Sequence, residues 1–515
     1  MDDGANLECL PRLADEIAAA ASPSAAILQS ILAVLRGSDA TLEGHSYHST
    51  TGNTLPPDYL IQNKPNQSQS EFWNAFSGIL TQFAASAPAA PHFIDIAHLG
   101  LDAGRANDQF EQDIADALVA LAKASSAPIT VRFLEGLPND GSPLPFDFAN
   151  ILLGKTSGQS GLGNLTCWIG NLNVPWADGI KKLPGSWNHS KILAVDGACG
   201  MVGGMNYWND YLSTGSNANL YDAAIKVVGE AAASSQAWAD YLWKQVDVGG
   251  TSEFRSLKLG DSAFGSAAIP YFSGSGITPP PATGSLPVLA VGNLGLWTLA
   301  DQSALALEYG YARLYEQVKV NGRYASTPNI PLWFPFSHFD PGVAKAQQAS
   351  STARHVALSQ VKPGGNLRIS QQKIADTDTV SRAGFVIWPG NFLDDVANAL
   401  KNGVTVDIIL SSFETGASGY QDDMGGNNLR KVIAERLGSD SKLLTVRQVP
   451  SYEYNHAKIW IVDDSAFFVG SDNIYPGFLQ EHGYVIADRA ATQQFITDYW
   501  NPLWAAGVAP TDPKT

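Results

Sequence analysis

The chain has 515 residues, 45% of them hydrophobic and 16% charged, enough for a large buried core in two or more domain-sized units. Its net charge is −17, from 32 Lys and Arg against 49 Asp and Glu. That balance disfavours nucleic acid as a partner and argues against docking on anionic membranes by charge alone, because phosphate contacts need a basic surface.

Three cysteines, Cys9, Cys167 and Cys199, allow no disulfide framework to be read. The opening Met1-Asp2-Asp3 has no basic n-region, and residues 25–35 read as an amphipathic helix. Neither a secretory leader nor a membrane span is expected, which favours an intracellular location over secretion.

Along the chain, residues 93–99 predict a strand. A helix follows with Phe110, Ile114, Leu118 and Leu121 on one face, then a strand over 129–134. A first motif reads Trp187-Asn188-His189-Ser190-Lys191-Ile192-Leu193-Ala194-Val195-Asp196, then Gly203-Gly204-Met205-Asn206. A helix is expected near 230–243. Residues 265–287, rich in Gly, Ser and Pro and including Pro279-Pro280-Pro281, read as a linker or long crossover. Residues 321–348 are aromatic-rich and irregular, and predict loops.

The same order then returns. A strand over 367–372 precedes a helix with Phe392, Val396 and Leu400 on one face, ending at Gly403, and a strand over 404–410. The second motif reads Tyr454-Asn455-His456-Ala457-Lys458-Ile459-Trp460-Ile461-Val462-Asp463, then Gly470-Ser471-Asp472-Asn473. A helix is expected over 490–500. The offset between the two His, Lys, Asp and Asn residues is 267 in every case (456−189, 458−191, 463−196, 473−206). Such a repeat predicts a duplicated α/β fold, with a βαβ unit and a largely parallel sheet in each half. The expected divisions are 1–264, a linker over 265–287, and 288–515, with the halves packed face to face around one site.

The repeated residues specify a chemistry. Residues i and i+2 of a strand share a face, so His189 projects with Lys191 and His456 with Lys458. Turns at Gly203-Gly204 and Gly470-Ser471 would return Asn206 and Asn473 beside them. Two facing sets put imidazoles on opposite sides of a tetrahedral anion, with lysine and asparagine donors around its oxygens. One His would attack phosphorus and the other would protonate the leaving oxygen. The lysines supply the positive charge, so no cofactor is required for the chemistry. No carboxylate cluster has the spacing of a Mg²⁺ or Ca²⁺ site, and His45 and His48 are too isolated to suggest zinc.

Each imidazole needs an orienting partner. Asp222 is expected to orient His189, and Glu481 to orient His456. Asp196 and Asp463, at the far ends of their strands, read as turn or salt-bridge residues. Gly204, Ser471 and Trp187 are expected to line the substrate, as are Trp208 and Tyr475. Tyr207, Pro476, Phe478 and Leu479 extend that apolar surface as a lipid entrance or as plain core. Residues 416–420 read as a surface loop. His92, His98, His338 and His355 are expected to be structural, His482 a pocket neighbour, and Cys199 buried and inert.

These residues form the doubled HxKxxxxD signature, and the chain is identified as resembling the phospholipase D superfamily. WNHSKILAVDG, GGMNYW and DYL near residues 187–212, and FFVGSDNIYPGFLQEHGYV at 467–485, are similar to the motif regions of secreted actinomycete phospholipases D. Residues 286–292 (LPVLAVG) and 369–372 (ISQQ) extend the similarity. Glu481 stands where those relatives have Asp, Asn455 where a His precedes the second catalytic His, and Lys373 where Asp is expected. The resemblance implies two α/β/α-layered halves and metal-independent cleavage of phosphatidylcholine-type lipids, with transfer to small alcohols. It also implies that His189 is the nucleophile and His456 the general acid. The expected partners are phospholipid at a membrane or micelle interface and alcohol acceptors, for a monomeric enzyme. A phosphodiesterase or nuclease, a phosphatidyl-transferring lipid synthase and a non-catalytic lipid-binding protein are the rival readings.

Overall fold

The computed structural model describes residues 22–510 apart from 68, 82–86, 101–108, 137–146, 175–185, 213–218, 250–253, 261–266, 283, 295–316, 321–322, 327–345, 378–385, 413–424, 452 and 475–478. The 416–420 loop, His338, Tyr475, Pro476 and Phe478 therefore lie outside the described residues.

In the first half the strands are β1 (Tyr47–Thr54), β2 (Leu60–Asn63), β3 (His92–Leu99), β4 (Ile129–Gly136), β5 (Leu165–Val174), β6 (Ser186–Trp187), β7 (Ile192–Val195), β8 (Cys199–Gly203), β9 (Leu220–Gly229) and β10 (Phe254–Lys258). The second half has β11 (Leu286–Leu294), β12 (Gln317–Val320), β13 (Arg323–Ser326), β14 (Asn366–Gln371), β15 (Asp376–Thr377), β16 (Val386–Trp388), β17 (Thr405–Leu410), β18 (Leu444–Gln448), β19 (Tyr454–Asn455), β20 (Lys458–Val462), β21 (Ala466–Gly470) and β22 (Gln480–Ile486). Helices are α1 (Pro23–Asp39), α2 (Glu71–Ile79), α3 (Gln109–Ala124), α4 (Asp147–Thr156), α5 (Glu230–Gly249), α6 (Ala349–Ser359), α7 (Gly390–Lys401), α8 (Gly426–Leu437) and α9 (Arg489–Phe495). Among the described residues, no helix is long and apolar enough to cross a membrane.

The strand–helix–strand units form as their patterns predict. β3 is buried along nearly its whole length and pairs in parallel with β4, joined through α3, whose Phe110, Ile114, Leu118 and Leu121 are all buried. In the second half β14 pairs in parallel with β17 through α7, which buries Phe392, Val396 and Leu400. The helix stops before Gly403, whose φ of +79° only glycine adopts without strain. β5 and β18 continue the parallel runs.

The remaining strands differ from a largely parallel sheet. β7, β8 and β9 run antiparallel beyond β3, and β20, β21 and β22 do the same beyond β14. The reason is local. Asp196 and Asp463 take left-handed φ values of +55° and +50°, making a tight hairpin after each motif strand. Their carboxylates also accept from the backbone N–H of Phe93 (2.7 Å) and Asn366 (2.8 Å), and Asp196 meets His92 Nδ1 at 2.7 Å. Both are turn residues, as expected. The two half-sheets merge through β1, which pairs antiparallel with β11 and, at its end, with β9. Within 321–348, expected as loops, residues 323–326 form β13 and pair with β12.

Layering follows from burial on both faces of the parallel strands. Phe72 and Phe76 of α2 and the apolar face of α3 pack with Ile94, Ile96, Val131 and Phe133. On the other face, Trp238, Leu242 and Trp243 of α5 join Ala97 and Leu134 in a core that continues to Ile369, Ile408 and Ile459 of the second half. Arg132 of β4 fastens these layers. It is fully buried and donates to both oxygens of Asp95 (2.7 and 2.9 Å), to Asp240 of α5 (2.8 Å) and to the carbonyl of Pro270 (3.1 Å). Breaking such a cluster strands buried charge. Arg132→Met is expected to cost about 3–5 kcal/mol, read from the urea midpoint; an unchanged midpoint would refute this role.

Candidate active site

Each motif histidine stands just before its strand, and a neighbouring asparagine sets its position. Asn188 Nδ2 donates to the carbonyl of His98 on β3 at 3.0 Å, and its Oδ1 accepts from Ser190 N at 3.2 Å. Asn455, 267 residues later, repeats the arrangement. Its Nδ2 donates to the carbonyls of Gln371 (3.2 Å) and Ile409 (3.3 Å) at the ends of β14 and β17, and to Ser370 Oγ at 2.9 Å. Its Oδ1 accepts from Ala457 N at 3.3 Å. Both side chains are fully buried. They tie the histidine-bearing segment to the C-terminal ends of the parallel strands, where functional groups of open α/β sheets collect. Sequence reasoning assigned them no role, although both sit at the 267-residue offset.

The two motifs meet in one buried site. Asp222, Glu481, Lys191, Lys458 and His189 are all at most 5% exposed. The partners are crossed relative to the expectation. His189 Nδ1 meets the two Glu481 oxygens at 3.0 and 2.9 Å, across 292 residues. His456 Nδ1 meets Asp222 Oδ2 at 2.8 Å, across 234 residues. Strand pairing is the cause. β19 runs parallel to β9 with Asn455 opposite Tyr221, and His456 N donates to the Tyr221 carbonyl at 2.7 Å. The next residue pair is then His456 with Asp222. Asn188 likewise bridges in parallel to Gln480, and His189 N donates to its carbonyl at 2.9 Å, which sets His189 beside Glu481. Each half therefore supplies the carboxylate for the other half's histidine.

The two pairs are not alike. Asp222 Oδ2 accepts from Tyr211 Oη at 2.7 Å and its Oδ1 from Ala223 N at 2.8 Å; Tyr211 Oη also lies 3.1 Å from His456 Nδ1. Tyr211, in the Asp-Tyr-Leu after the first motif, has no repeat partner that would have drawn notice. Glu481 instead accepts from Ser471 Oγ at 2.5 Å. Gly204 is tied to its site by space: a Cβ there would lie 2.3 Å from Asp222 Oδ1. Gly204 and Ser471 thus buttress the carboxylates, where direct contact with substrate was expected.

Lys191 Nζ donates to the His189 carbonyl at 2.6 Å, and Lys458 Nζ to the His456 carbonyl. Asn206 and Asn473 are buried just beyond the ends of β8 and β21. Asn206 Oδ1 makes no hydrogen bond among the described residues. Behind Asn473, Asp472 accepts from Asn293 Nδ2 (3.0 Å) and Ser350 Oγ (3.1 Å) and pairs with Arg354.

Electrostatics separates the halves further. Burial, and then the lysines and the second imidazole, push His189 well down. Burial and Lys458 lower His456 to about 4. Burial also lowers both lysines, Lys458 to about 8, and the charge of Lys458 lowers Lys191 further. Burial drives the Glu481 carboxyl well up, with Lys191 opposing. At Asp222 burial works the same way, but His456, Lys458 and Tyr211 together hold the carboxyl below its ordinary value. The site is thus built to receive an anion, whose charge would restore the protons that burial removes.

The other residues singled out from the sequence are placed as follows. Tyr207 is core, stacked on His98 (4.9 Å between centroids) and Phe110 (5.8 Å). Leu479 is buried, Trp208 packs on the α2–α3 core, and Trp187 pairs with Asn173. His482 follows Glu481 on β22 and so faces the opposite way, bonding Ser235 at 2.9 Å beside Trp238. It is not a pocket neighbour. His92 and His355 pair with Asp196 and Asp395, and Cys199 is buried, its thiol pushed up to about 12 by that burial.

The chain is similar to known proteins. The sequence family described as "Cardiolipin synthase, PLD-like domain" matches residues 374–504, which span the second motif. A phospholipase D of Streptomyces antibioticus is 27% identical over 528 aligned positions, covering 94% of this chain and 88% of that protein. The crystal structure of phosphatidylserine synthase from Haemophilus influenzae Rd KW20 has a similar fold, with a TM-score of 0.53 at 13% identity, covering 93% of this chain and 91% of the other. With two motif sets gathered on a duplicated α/β frame, the chain resembles the phospholipase D superfamily, whose members act on phosphodiesters, and carries a PLD-like domain over residues 374–504.

Proposed function

We propose that this protein is a phospholipase D that cleaves the distal phosphodiester of a glycerophospholipid, giving phosphatidic acid and the headgroup alcohol. The observation that carries the reading is the pair of carboxylate-bound histidines, each with its lysine, gathered in one buried site. The lipid substrate is supported by the name of the Streptomyces relative. His189 Nε2 attacks phosphorus, the bond from phosphorus to the headgroup oxygen breaks, and His456 gives its proton to that oxygen. His456 then takes a proton from water. The resulting hydroxide attacks phosphorus, breaks the P–N bond and frees His189. Lys191, Lys458, Asn206 and Asn473 neutralise the phosphoryl oxygens, so the chemistry needs no cofactor.

The difference between the carboxylates supports this division of roles. A nucleophile must be a neutral imidazole with its one proton on Nδ1; Glu481 accepts from that position, while burial and the two lysines disfavour a second proton on His189. A general acid must begin protonated, and the ionised Asp222 beside His456 stabilises an imidazolium once the phosphate offsets Lys458. A second reading is a phosphatidyl-transferring synthase, in which an alcohol replaces water. It draws on the description of the matching family as cardiolipin synthase.

Headgroup release from a phospholipid panel, with ethanol in half the samples, separates these readings. Phosphatidic acid should dominate without ethanol and phosphatidylethanol should appear with it. Turnover only with an alcohol present would favour the synthase, and no turnover on any lipid would defeat both.

His189→Ala should lower kcat by about 10⁴-fold or more, whereas His456→Asn should leave a phosphoryl adduct on His189 visible by mass spectrometry. An adduct found on His456 in the wild type, and not on His189, would reverse the roles.

The lysines generate a pH signature. In the free enzyme His456 is lowered to about 4 and Lys458 to about 8, so kcat/KM should decline as pH rises from about 4 and fall further above about 8. A bound anionic diester restores the proton, so kcat should persist to higher pH. Coincident alkaline limbs in the two profiles would contradict this account.

A further inference from the structure

The parallel strands of the first half carry a second cluster of ligating groups, one layer behind the histidines. His98 of β3 lies opposite Glu135 of β4 in the parallel register, and Glu111 comes from the first turn of α3. His98 and Glu111 are fully buried and Glu135 is 3% exposed. One nitrogen or oxygen from each lies within 4.8 Å of the other two, with His98 Nε2 3.9 Å from Glu111 Oε1. Both ring nitrogens of His98 lack a hydrogen-bond partner among the described residues. A buried imidazole ordinarily satisfies at least one of them. Its ring is clamped between Tyr207 (4.9 Å) and Phe133 (5.3 Å), with Nε2 turned to Glu111.

The second half provides a control within the same chain. The asparagine anchors show that His98 and Gln371 hold equivalent places, since Asn188 binds the His98 carbonyl and Asn455 that of Gln371. The residue after Ile409, equivalent to Glu135, is Leu410. The fold therefore does not demand an imidazole or a carboxylate at these places. The first half has acquired them.

We propose that His98, Glu111 and Glu135 form a binding site for one divalent transition-metal ion. One imidazole with two carboxylates is a donor set for Zn²⁺, Mn²⁺ or Fe²⁺ and too nitrogen-rich for a dedicated Ca²⁺ or Mg²⁺ cage. Closure of the side chains by about an ångström would bring them to the ~2 Å bonds of such an ion. The ion would join β3, β4 and the start of α3, bracing the strand ends to which Asn188 fastens the His189 segment. Its role is structural, and it takes no part in phosphoryl transfer.

The test uses the full chain. Protein dialysed against chelator is titrated with Zn²⁺, Mn²⁺ or Co²⁺ while melting temperature and, for Co²⁺, the visible spectrum are followed. One equivalent should bind and survive gel filtration. The melting temperature should rise by several degrees, and Co²⁺ should develop d–d bands of a nitrogen- and oxygen-ligated site. Glu111→Gln and His98→Gln should abolish both responses. Absence of binding by all three ions to the wild-type chain would overturn the proposal even if the variants fail to fold. So would unchanged binding in a folded Glu111→Gln protein, which would place the ion elsewhere.

Discussion

The structure depends on the exchange of carboxylates between its halves. An imidazole buried between two lysines has no reason to hold one tautomer or one orientation unless a fixed acceptor sits at its inner nitrogen. Here that acceptor always comes from the opposite half: Glu481 for His189, Asp222 for His456. The crossing is set by backbone pairing, because the short parallel contacts of Asn455 with Tyr221 and of Asn188 with Gln480 leave the following residues side by side. The catalytic geometry and the docking of the halves are thus one set of hydrogen bonds.

The crossing also explains what could be read from residues alone. The parallel strands and their helices were legible, since burial on both faces leaves apolar runs and a helix leaves its stripe: Phe110 with Ile114 and Leu118, Phe392 with Val396 and Leu400. The doubled His–Lys–Asn pattern was legible because both copies must present the same donors. The carboxylate partners were not, because chain proximity suggested that each half served itself. Only long-range strand pairing reverses that. Sheet direction was partly hidden for a related reason, since the left-handed turns at Asp196 and Asp463 fold each motif strand back antiparallel. Tyr207, which sequence left open between a lipid entrance and plain core, is core, held by aromatic packing around His98.

Duplication here preserves a frame while the two copies diverge within it. The anchoring asparagines match almost bond for bond. The groups around them do not: Tyr211 holds one carboxylate and Ser471 the other. The proposed reaction has two chemically different steps, and this divergence gives the two imidazoles different surroundings for them.

β1 has a mechanical consequence. By pairing with β9 on one side and β11 on the other, it makes the half-sheets a single hydrogen-bonded surface, and one apolar core runs beneath both. Two lobes joined in this way cannot swing apart like a jaw without tearing main-chain bonds and wetting that core. The seam between the motifs therefore behaves as a rigid die. If the substrate is the phospholipid proposed above, it would have to be threaded to the histidines from the rim, and whatever adjusts to its shape would be side chains and connecting segments, with the spacing of the two histidines left unchanged.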